Sequence, residues 1–212
     1  QAAGIYDGKY GTGATEKFGK DSFAFLLGAL KSSAQNSEHS NTVGIFPGSP
    51  KYKKRNFYNK SLAETPITDK LQLIKEIEKR FYAYSPEVSD VPNVSYSESN
   101  LVSEFYNSFG LKLKQKRNYF IISASVVVKR GNEIKTSGDY IFGNDLSKID
   151  IDSFVKKIVK AGIDQFGGEP CEPKPYPVLL KKDVFAALLE VFLDANSADE
   201  VQHHSSFLEG LE

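Results

Sequence analysis

The stretch that decides the fold is NVSYSESNLVSEFYNSFGLKLKQKRNYFIISASVVVKRGNEIKTSGDYIF, residues 93–142. Polar and apolar residues alternate along it, with the two-residue period that sends successive side chains of a strand to opposite faces. Gly110 and the pair Gly131-Asn132 fall where the chain must reverse. The apolar side chains that share one face are Ile122, Ala124, Val126 and Val128. The pattern predicts three or four antiparallel strands.

A sheet with one apolar face and one Ser- and Lys-rich face needs a cover on the apolar side. Segments with the helical period flank the stretch and can supply that cover. Helices are predicted over residues 20–36, 68–84 (with Thr68 as its cap), 151–168 and 182–195. Their apolar stripes are Phe23, Leu26, Leu27 and Leu30; Leu71, Ile74, Ile77 and Phe81; Phe154, Ile158, Ile163 and Phe166; and Val184, Leu188, Val191 and Ala195. Since helices and strands occupy separate blocks, the predicted fold class is α+β, an antiparallel β-meander flanked by helices.

Turn residues and prolines indicate how the chain is divided. Residues 4–18 carry Asp-Gly and Gly turns between short apolar positions and predict a hairpin or the end of a sheet, and the polar residues 37–63 predict a surface connection. EPCEPKPYP, residues 169–177, has four prolines in nine positions and predicts a stiff linker, after which residues 178–180 restart as a strand. The expected domains are 1–63 (end of an N-terminal α+β segment plus connection), 64–168 (helix–meander–helix) and 169–212 (linker and start of a second, incomplete domain).

Composition narrows the class of protein. The 212 residues carry 27 basic and 27 acidic side chains, and a neutral chain is not expected to attract nucleic acid or anionic lipid over its whole surface. A single cysteine excludes an internal disulfide framework and suits a reducing compartment. No apolar run reaches the roughly 18–20 residues that cross a bilayer. The protein is therefore expected in the cytoplasm, without a membrane or direct nucleic-acid partner.

Histidine and cysteine offer few candidate ligands or nucleophiles. His203-His204 is the only adjacent pair, but neighbouring residues of a helix point about 100° apart, which suits a shared metal poorly. A solvated or capping role explains this pair more simply, and His39 lies in a polar loop without an obvious partner. Cys171 lies among prolines and between Glu169 and Glu172, a setting typical of a linker rather than of a nucleophile.

Two other patterns have both a chemical and a structural interpretation. Glu190 and Asp194 are four residues apart on a predicted helix and could form a general acid–base couple, but they also fit its polar face. Gly11-x-Gly13 lacks the third glycine and the strand–turn–helix setting of a dinucleotide site. No phosphate loop, zinc spacing or nucleophile elbow occurs in the sequence. The sequence predicts no catalytic, cofactor-binding or metal residue.

A basic run lies in the predicted surface connection. Lys51, Lys53, Lys54 and Arg55 have the aromatic residues Tyr52 and Phe57 beside them. Aromatic side chains among cations can form a platform for single-stranded nucleic acid. In a neutral chain, a solvated loop is the simpler interpretation.

YPVLLKKDVFAALLEVFLDANSADEVQHHSSFLEG, residues 176–210, has a Pro-Val pair before a predicted helix and a Ser-Phe-Leu turn. In this order it resembles the opening of the barrel-like catalytic-region domain of the TldD/PmbA peptidases, and two further segments carry the same resemblance. Residues 97–143 resemble the middle segment, with Asn-Ser-x-Gly before a polar strand and a final Asp-Tyr. GKYGTGATEKF, residues 8–18, resembles the end of the first segment. The chain is thus expected to be an incomplete piece, without most of the first sheet and nearly all of the C-terminal domain.

The resemblance implies a metal site that this chain does not reproduce. In TldD-type subunits the helix after the Pro-Val strand carries His-Glu-x-x-x-His, whose imidazoles hold a metal and whose Glu acts as base on bound water. The matching positions here are Glu190, Val191 and Ala195, and residues 182–200 contain no histidine. The resemblance therefore implies a PmbA-type (TldE) subunit without a metal of its own.

The resemblance also implies a partner and an activity. It indicates a cytoplasmic dimer with a TldD-type subunit, which would hold the metal and hydrolyse unfolded or short peptides. Two alternatives stay open: a regulatory binding protein, in line with the family's older description as a modulator of DNA gyrase, and a homodimer without peptidase activity.

Overall fold

The computed structural model describes residues 1–37, 44–197, 200–201 and 204–207, which fall into two compact units, residues 1–167 and 168–212. His39 and His203, which were considered above as ligands, lie outside the described residues. The first unit contains β1 (Ala2–Tyr6), β2 (Lys9–Gly13), α1 (Ser22–Gln35), α2 (Lys60–Glu64), α3 (Ile67–Tyr84), β3 (Val88–Tyr106), β4 (Lys112–Arg130), β5 (Glu133–Gly143), a 3-10 turn (Leu146–Lys148) and α4 (Ile151–Ile163), and the second contains α5 (Lys182–Ala195).

The central sheet is antiparallel, with the strand order β3-β4-β5. Its reversals contain Gly110 and Gly131, whose φ angles of 83° and 59° lie in the left-handed region that glycine adopts without strain. The predicted meander and the α+β class are confirmed. The sheet has three strands because the segments on either side of Asn100 continue as one, paired with β4 from Val94 to Tyr106 without a register shift. The strands of the described residues form no closed barrel.

The core lies between the predicted apolar face of β4 and helices α3 and α4. Phe120, Ile122, Ala124, Val126 and Val128 are buried, and each side chain that is fully removed from water contributes roughly 1.5–3 kcal/mol. Helix α3 buries Ile77 and Phe81 against them, and α4 buries Phe154, Val155, Ile158 and Val159. The rings of Phe81 and Phe154 meet edge to face, with centroids 6.3 Å apart, and so join the two helices.

Helices α3 and α4 differ from the prediction in three respects. Helix α3 begins at Ile67 after Pro66, so Thr68 is already inside the first turn and donates its hydroxyl to Asp69 instead of capping the helix. Leu71 is exposed, because the neighbouring Lys70 occupies the buried position. Helix α4 ends at Ile163, five residues before the predicted end.

The N-terminal hairpin packs on α1 through glycine rather than through large apolar side chains. β1 and β2 pair as predicted, with Asp7 and Gly8 in the turn. A Cβ atom at Gly11 would lie 2.2 Å from the backbone oxygen of Leu30 and 2.9 Å from Cβ of Ala34. Phe23 and Leu27, which were predicted to pack, are exposed because α1 turns its small residues toward the hairpin instead. Gly11 therefore serves close helix packing, and no phosphate site is formed there.

We expect Gly11→Ala to lower the free energy of unfolding by about 1–2 kcal/mol, since the added methyl group overlaps the backbone of α1. The matched control is Gly28→Ala, in α1 itself, where an added Cβ meets nothing within 4 Å. That change should raise the free energy of unfolding by about 0.5–1 kcal/mol through helix propensity. Urea unfolding of the two variants measures both effects, and equal stability of the two would contradict the packing role of Gly11.

β3 and β4 continue well beyond the end of β5. β5 ends at Gly143, opposite Phe120, so residues 99–119 form a two-stranded hairpin that projects from the core, here called the arm. Its edge on the β5 side is not left open. Residues 44–59 run along it, with a parallel bridge between Phe57 and Arg117 and a 2.7 Å hydrogen bond from the Asn107 side chain to the Phe46 carbonyl. The predicted surface connection is therefore held against the arm.

The described part of the second unit contains one helix that follows a segment without regular secondary structure. Helix α5 spans Lys182–Ala195 as predicted, and Ser206 donates a hydrogen bond to the carbonyl of Ala195. The predicted strand at residues 178–180 is wrong: these residues form no strand, and Leu179 is almost fully exposed. A strand needs a neighbour for its backbone groups, and within the described residues no segment pairs with this one.

Candidate functional site

The most enclosed polar cluster lies where α3 meets β3. Lys70 on α3 and Glu98 on β3 form an ion pair of 2.6 Å, with side chains only 10% and 14% exposed. Tyr96 donates its hydroxyl to the same carboxylate at 2.6 Å, and the Asn100 amide donates to the other oxygen at 3.0 Å. Three donors from three residues therefore converge on one carboxylate.

The electrostatics of the cluster follow from burial and from these donors. Burial opposes the charged form of Glu98, but the hydrogen bonds from Lys70, Tyr96 and Asn100, together with the charge of Lys70, outweigh it and lower the pKa of this carboxyl. Burial and the neighbouring carboxylate raise the pKa of the Tyr96 hydroxyl well above its ordinary value. Glu98 is thus held ionised and Tyr96 neutral.

This chemistry suits a structural link better than proton transfer. A general base must be free to accept a proton near neutral pH, whereas Glu98 is fully engaged and its pKa is lowered. The cluster also lies outside the two concavities described below. Its effect is to fix the helix against the strand at the base of the arm. The sequence does not predict this cluster, because a lysine is expected to be buried only beside an acidic partner, and the pairing of Lys70 with Glu98 is not visible from the sequence.

Asn118 makes a second polar link at the same level of the sheet. It is 3% exposed; its side-chain oxygen accepts from the Asn59 backbone N–H and its amide donates to the Asn59 carbonyl, both at 2.8 Å. The backbone N–H of Asn118 donates to the Phe57 carbonyl at 3.2 Å. One asparagine therefore fixes the end of residues 44–59 and the start of α2 to the arm.

Two of the concavities that the described residues of the first unit form are large enough for a small ligand. One, of about 770 Å³, lies beyond the end of β5 and is bordered by Phe57, Arg117, Tyr119 and Phe142. The rings of Tyr119 and Phe142 lie 5.3 Å apart, and the Arg117 guanidinium has no ion pair within the described residues. The other, of about 730 Å³, is formed by residues 15–22 and Phe25. No described histidine or cysteine lines either concavity, and the first has no carboxylate in its described lining.

The structure does not bring the residues considered from the sequence together into one site. Cys171 is exposed, as are Glu190 and Asp194 on α5, for which no ion pair is found within the described residues. His204 is exposed and has a positive φ of 57°. In the described part of the chain, no three His, Cys, Asp or Glu side chains are grouped closely enough to hold a metal. Nor is any helix in it long and apolar enough to span a membrane.

The positions that match the family's metal motif cannot form that site in this chain. Glu190, Val191 and Ala195 lie on one regular helix, so they have the spacing of the motif. Val191 and Ala195 offer no donor atom, and a catalytic zinc needs three protein ligands. The family's metal therefore does not fit these residues, and no step through a metal can be assigned to them.

Comparison with solved structures identifies the fold. The fold is similar to that of a proposed modulator of DNA gyrase from Thermotoga maritima (TM-score 0.81, 21% identity), covering 98% of this chain and 47% of that one. It is also similar to a second proposed gyrase modulator, from Bacteroides thetaiotaomicron (0.84, 16%, covering 98% and 48%), and to TldE from Thermococcus kodakarensis (0.71, 18%, covering 98% and 47%). The chain thus spans about half the length of the solved structures it matches. No curated protein matches the sequence.

The sequence itself gives the family. Residues 60–164, from α2 to the end of α4, match the family model of the PmbA/TldA metallopeptidase central domain. The chain belongs to the PmbA/TldD family, and the family resemblance of the sequence is confirmed.

Proposed function

We propose that this chain is part of a PmbA-type (TldE) subunit that has no metal of its own and pairs with a TldD-type subunit. The partner would hold the metal and hydrolyse unfolded or short peptides in the cytoplasm. This chain would contribute the sheet and helices that support the dimer and help to enclose the substrate. No cofactor is assigned to this chain.

The observation that carries the proposal is the chemistry of α5. The helix is present at the position that the family's motif would occupy, yet Glu190, Val191 and Ala195 stand where two imidazoles and a general base are needed. The fold that the chain shares with a TldE structure supports the same assignment. The exposed apolar side chains of α5, such as Phe185 and Val191, support contact with further protein.

The test uses the protein expressed from its complete reading frame, alone and mixed with a TldD-type subunit. Alone, it should hold much less than one metal ion per chain by elemental analysis and should not cleave an unfolded casein or a short peptide. Mixed with its partner, it should form a complex with peptidase activity that a chelator abolishes. One tightly held metal per chain in the isolated protein, or no complex with the partner, would overturn the proposal. The TldD-type subunit alone is the control for activity that needs no second subunit.

A second candidate is a regulatory binding protein. It is favoured by two structural neighbours that are described as proposed modulators of DNA gyrase. Under this proposal the protein would bind gyrase directly and would need no TldD-type partner. A pull-down with purified gyrase separates the candidates. A third possibility, a homodimer without peptidase activity, predicts a dimer that size-exclusion chromatography still finds when a TldD-type subunit is present.

A further inference from the structure

The fold brings together two basic runs that are far apart in the sequence. Residues 44–59 are fixed to the arm at both ends, by Asn107 near Phe46 and by Asn118 near Phe57 and Asn59. The stretch between these ends must therefore run beside the first part of β4. Residues 51–55 and 112–117, here called the basic surface, contain eight cations: Lys51, Lys53, Lys54, Arg55, Lys112, Lys114, Lys116 and Arg117.

Little on the protein neutralises this surface. All eight residues are exposed, and neither run contains a carboxylate. Within the described residues the ion pair found for this set is that of Lys114 with Glu104, at 2.6 Å. A concentration of positive charge in a chain whose net charge is zero costs self-repulsion, and an anionic partner would relieve it.

We propose that the basic surface binds an extended, acidic segment of a polypeptide. Lys112, Lys114 and Lys116 recur at every second residue of β4, about 6.8 Å apart, which is also the repeat of alternate side chains in an extended peptide. Carboxylates at alternate positions of such a peptide can lie opposite these lysines, where the Lys114 ammonium would be shared with Glu104. We take this polypeptide to be the substrate, and in that respect the inference rests on the proposed function. The substrate class would then be acidic peptides.

Single-stranded nucleic acid is the competing anion, and it needs ring faces on which its bases can stack. The Lys116 ammonium lies 3.6 Å from the ring centroid of Tyr58, so that ring face is already covered. Tyr52 and Phe57 remain 41% and 42% exposed. The regular spacing of the lysines on β4 therefore favours the peptide, and an oligothymidylate is the comparison that separates the two ligands.

The inference is tested by fluorescence anisotropy with a labelled peptide of alternating Glu and Ser, at low salt. The test variant carries Lys51→Gln, Lys53→Gln and Lys54→Gln. The matched control carries Lys75→Gln, Lys79→Gln and Lys156→Gln, three exposed lysines on α3 and α4, so both variants lose the same net charge. We expect about tenfold weaker binding for the test variant and less than a twofold change for the control. The peptide's affinity should also fall as salt shortens the Debye length from about 10 Å to about 3 Å.

Three results would overturn the inference: no binding of the acidic peptide, equal loss in the two variants, or tighter binding of an oligothymidylate than of the peptide. A Lys112→Gln and Arg117→Gln variant examines the second run independently, and it should also bind the peptide more weakly. Because binding is measured without hydrolysis, failure here leaves the metal-free subunit proposal untouched. Conversely, a failure to form a peptidase with a TldD-type partner would leave binding of the acidic peptide intact and remove only its interpretation as substrate.

Discussion

Glu98→Ala should lower the free energy of unfolding by about 3 kcal/mol, the lower end of the range for breaking a buried ion pair. The lower end applies because Lys70 and Glu98 keep 10% and 14% exposure of their side chains. Most of the loss arises because the Lys70 ammonium and the Tyr96 hydroxyl stay buried without their acceptor. The missing attraction between the two charges contributes less. Chemical denaturation at pH 7 measures the change.

Two controls separate this explanation from a general weakness of β3. Glu104→Ala removes a carboxylate from the same face of the same strand, where it also meets a lysine and a tyrosine, but with its side chain 38% exposed and that of its lysine partner 68% exposed. Its stability should hardly change, because exposed pairs contribute little. The triple variant Lys70→Met, Tyr96→Phe and Glu98→Leu replaces the whole cluster by apolar groups and should recover most of the loss. A triple variant as unstable as Glu98→Ala would contradict the explanation.

The same cluster gives a pH dependence of defined sign. The pKa of Glu98 is lower in the folded protein than in the unfolded chain, so the folded state binds fewer protons at this site. Its contribution to stability is therefore complete above the ordinary carboxyl pKa of 4.5 and is lost as the pH falls through the lowered folded value. The Glu98→Ala variant should lack this part of the acid dependence.

The sequence predicted the regular parts of the fold because their signal is local. The alternation around Ile122 and Val126 specifies a half-buried strand whatever covers it, and α5 was placed to the residue. The sequence-based predictions were wrong where contact with a residue distant in the sequence determines burial. Lys70 is buried only because Glu98 arrives from 28 residues away, and Phe23 is exposed because Gly11 lets α1 approach through its small residues.

The charge of the surface also depends on contacts between residues that are distant in the sequence. Net neutrality and a solvated loop are sound interpretations of residues 51–55 taken alone. The structure makes a solvated loop the weaker interpretation, because Asn107 and Asn118 fix the ends of that segment to the arm. The segment then lies beside a second basic run, about 60 residues later in the sequence. Composition averages over the chain, whereas binding depends on which charges become neighbours in space.

Asn118→Ala should have the second largest effect, a loss of about 2–3 kcal/mol in the free energy of unfolding. Two backbone groups of Asn59 would lose their partners, and each unsatisfied group costs about 1–3 kcal/mol, reduced here because water can reach the half-buried Asn59. Asn93→Ala is the matched control: Asn93 is also an asparagine of the sheet, but it is exposed and its one side-chain hydrogen bond is 3.4 Å long.

The position of Asn118 predicts a local effect beside the global one. Without its side chain, the contacts that the described residues show between this end of the segment carrying Lys53, Lys54 and Arg55 and the arm are the backbone hydrogen bond from Asn118 to Phe57 and the exposed contact of Lys116 with the Tyr58 ring. Native-state trypsin cleavage after these residues should therefore accelerate in Asn118→Ala and stay unchanged in Asn93→Ala, since cleavage follows the population of the opened segment. Faster cleavage with an unchanged free energy of unfolding would show that Asn118 stabilises this segment and not the rest of the fold. An unchanged cleavage rate would show that Asn118 does not hold residues 51–55 against the arm.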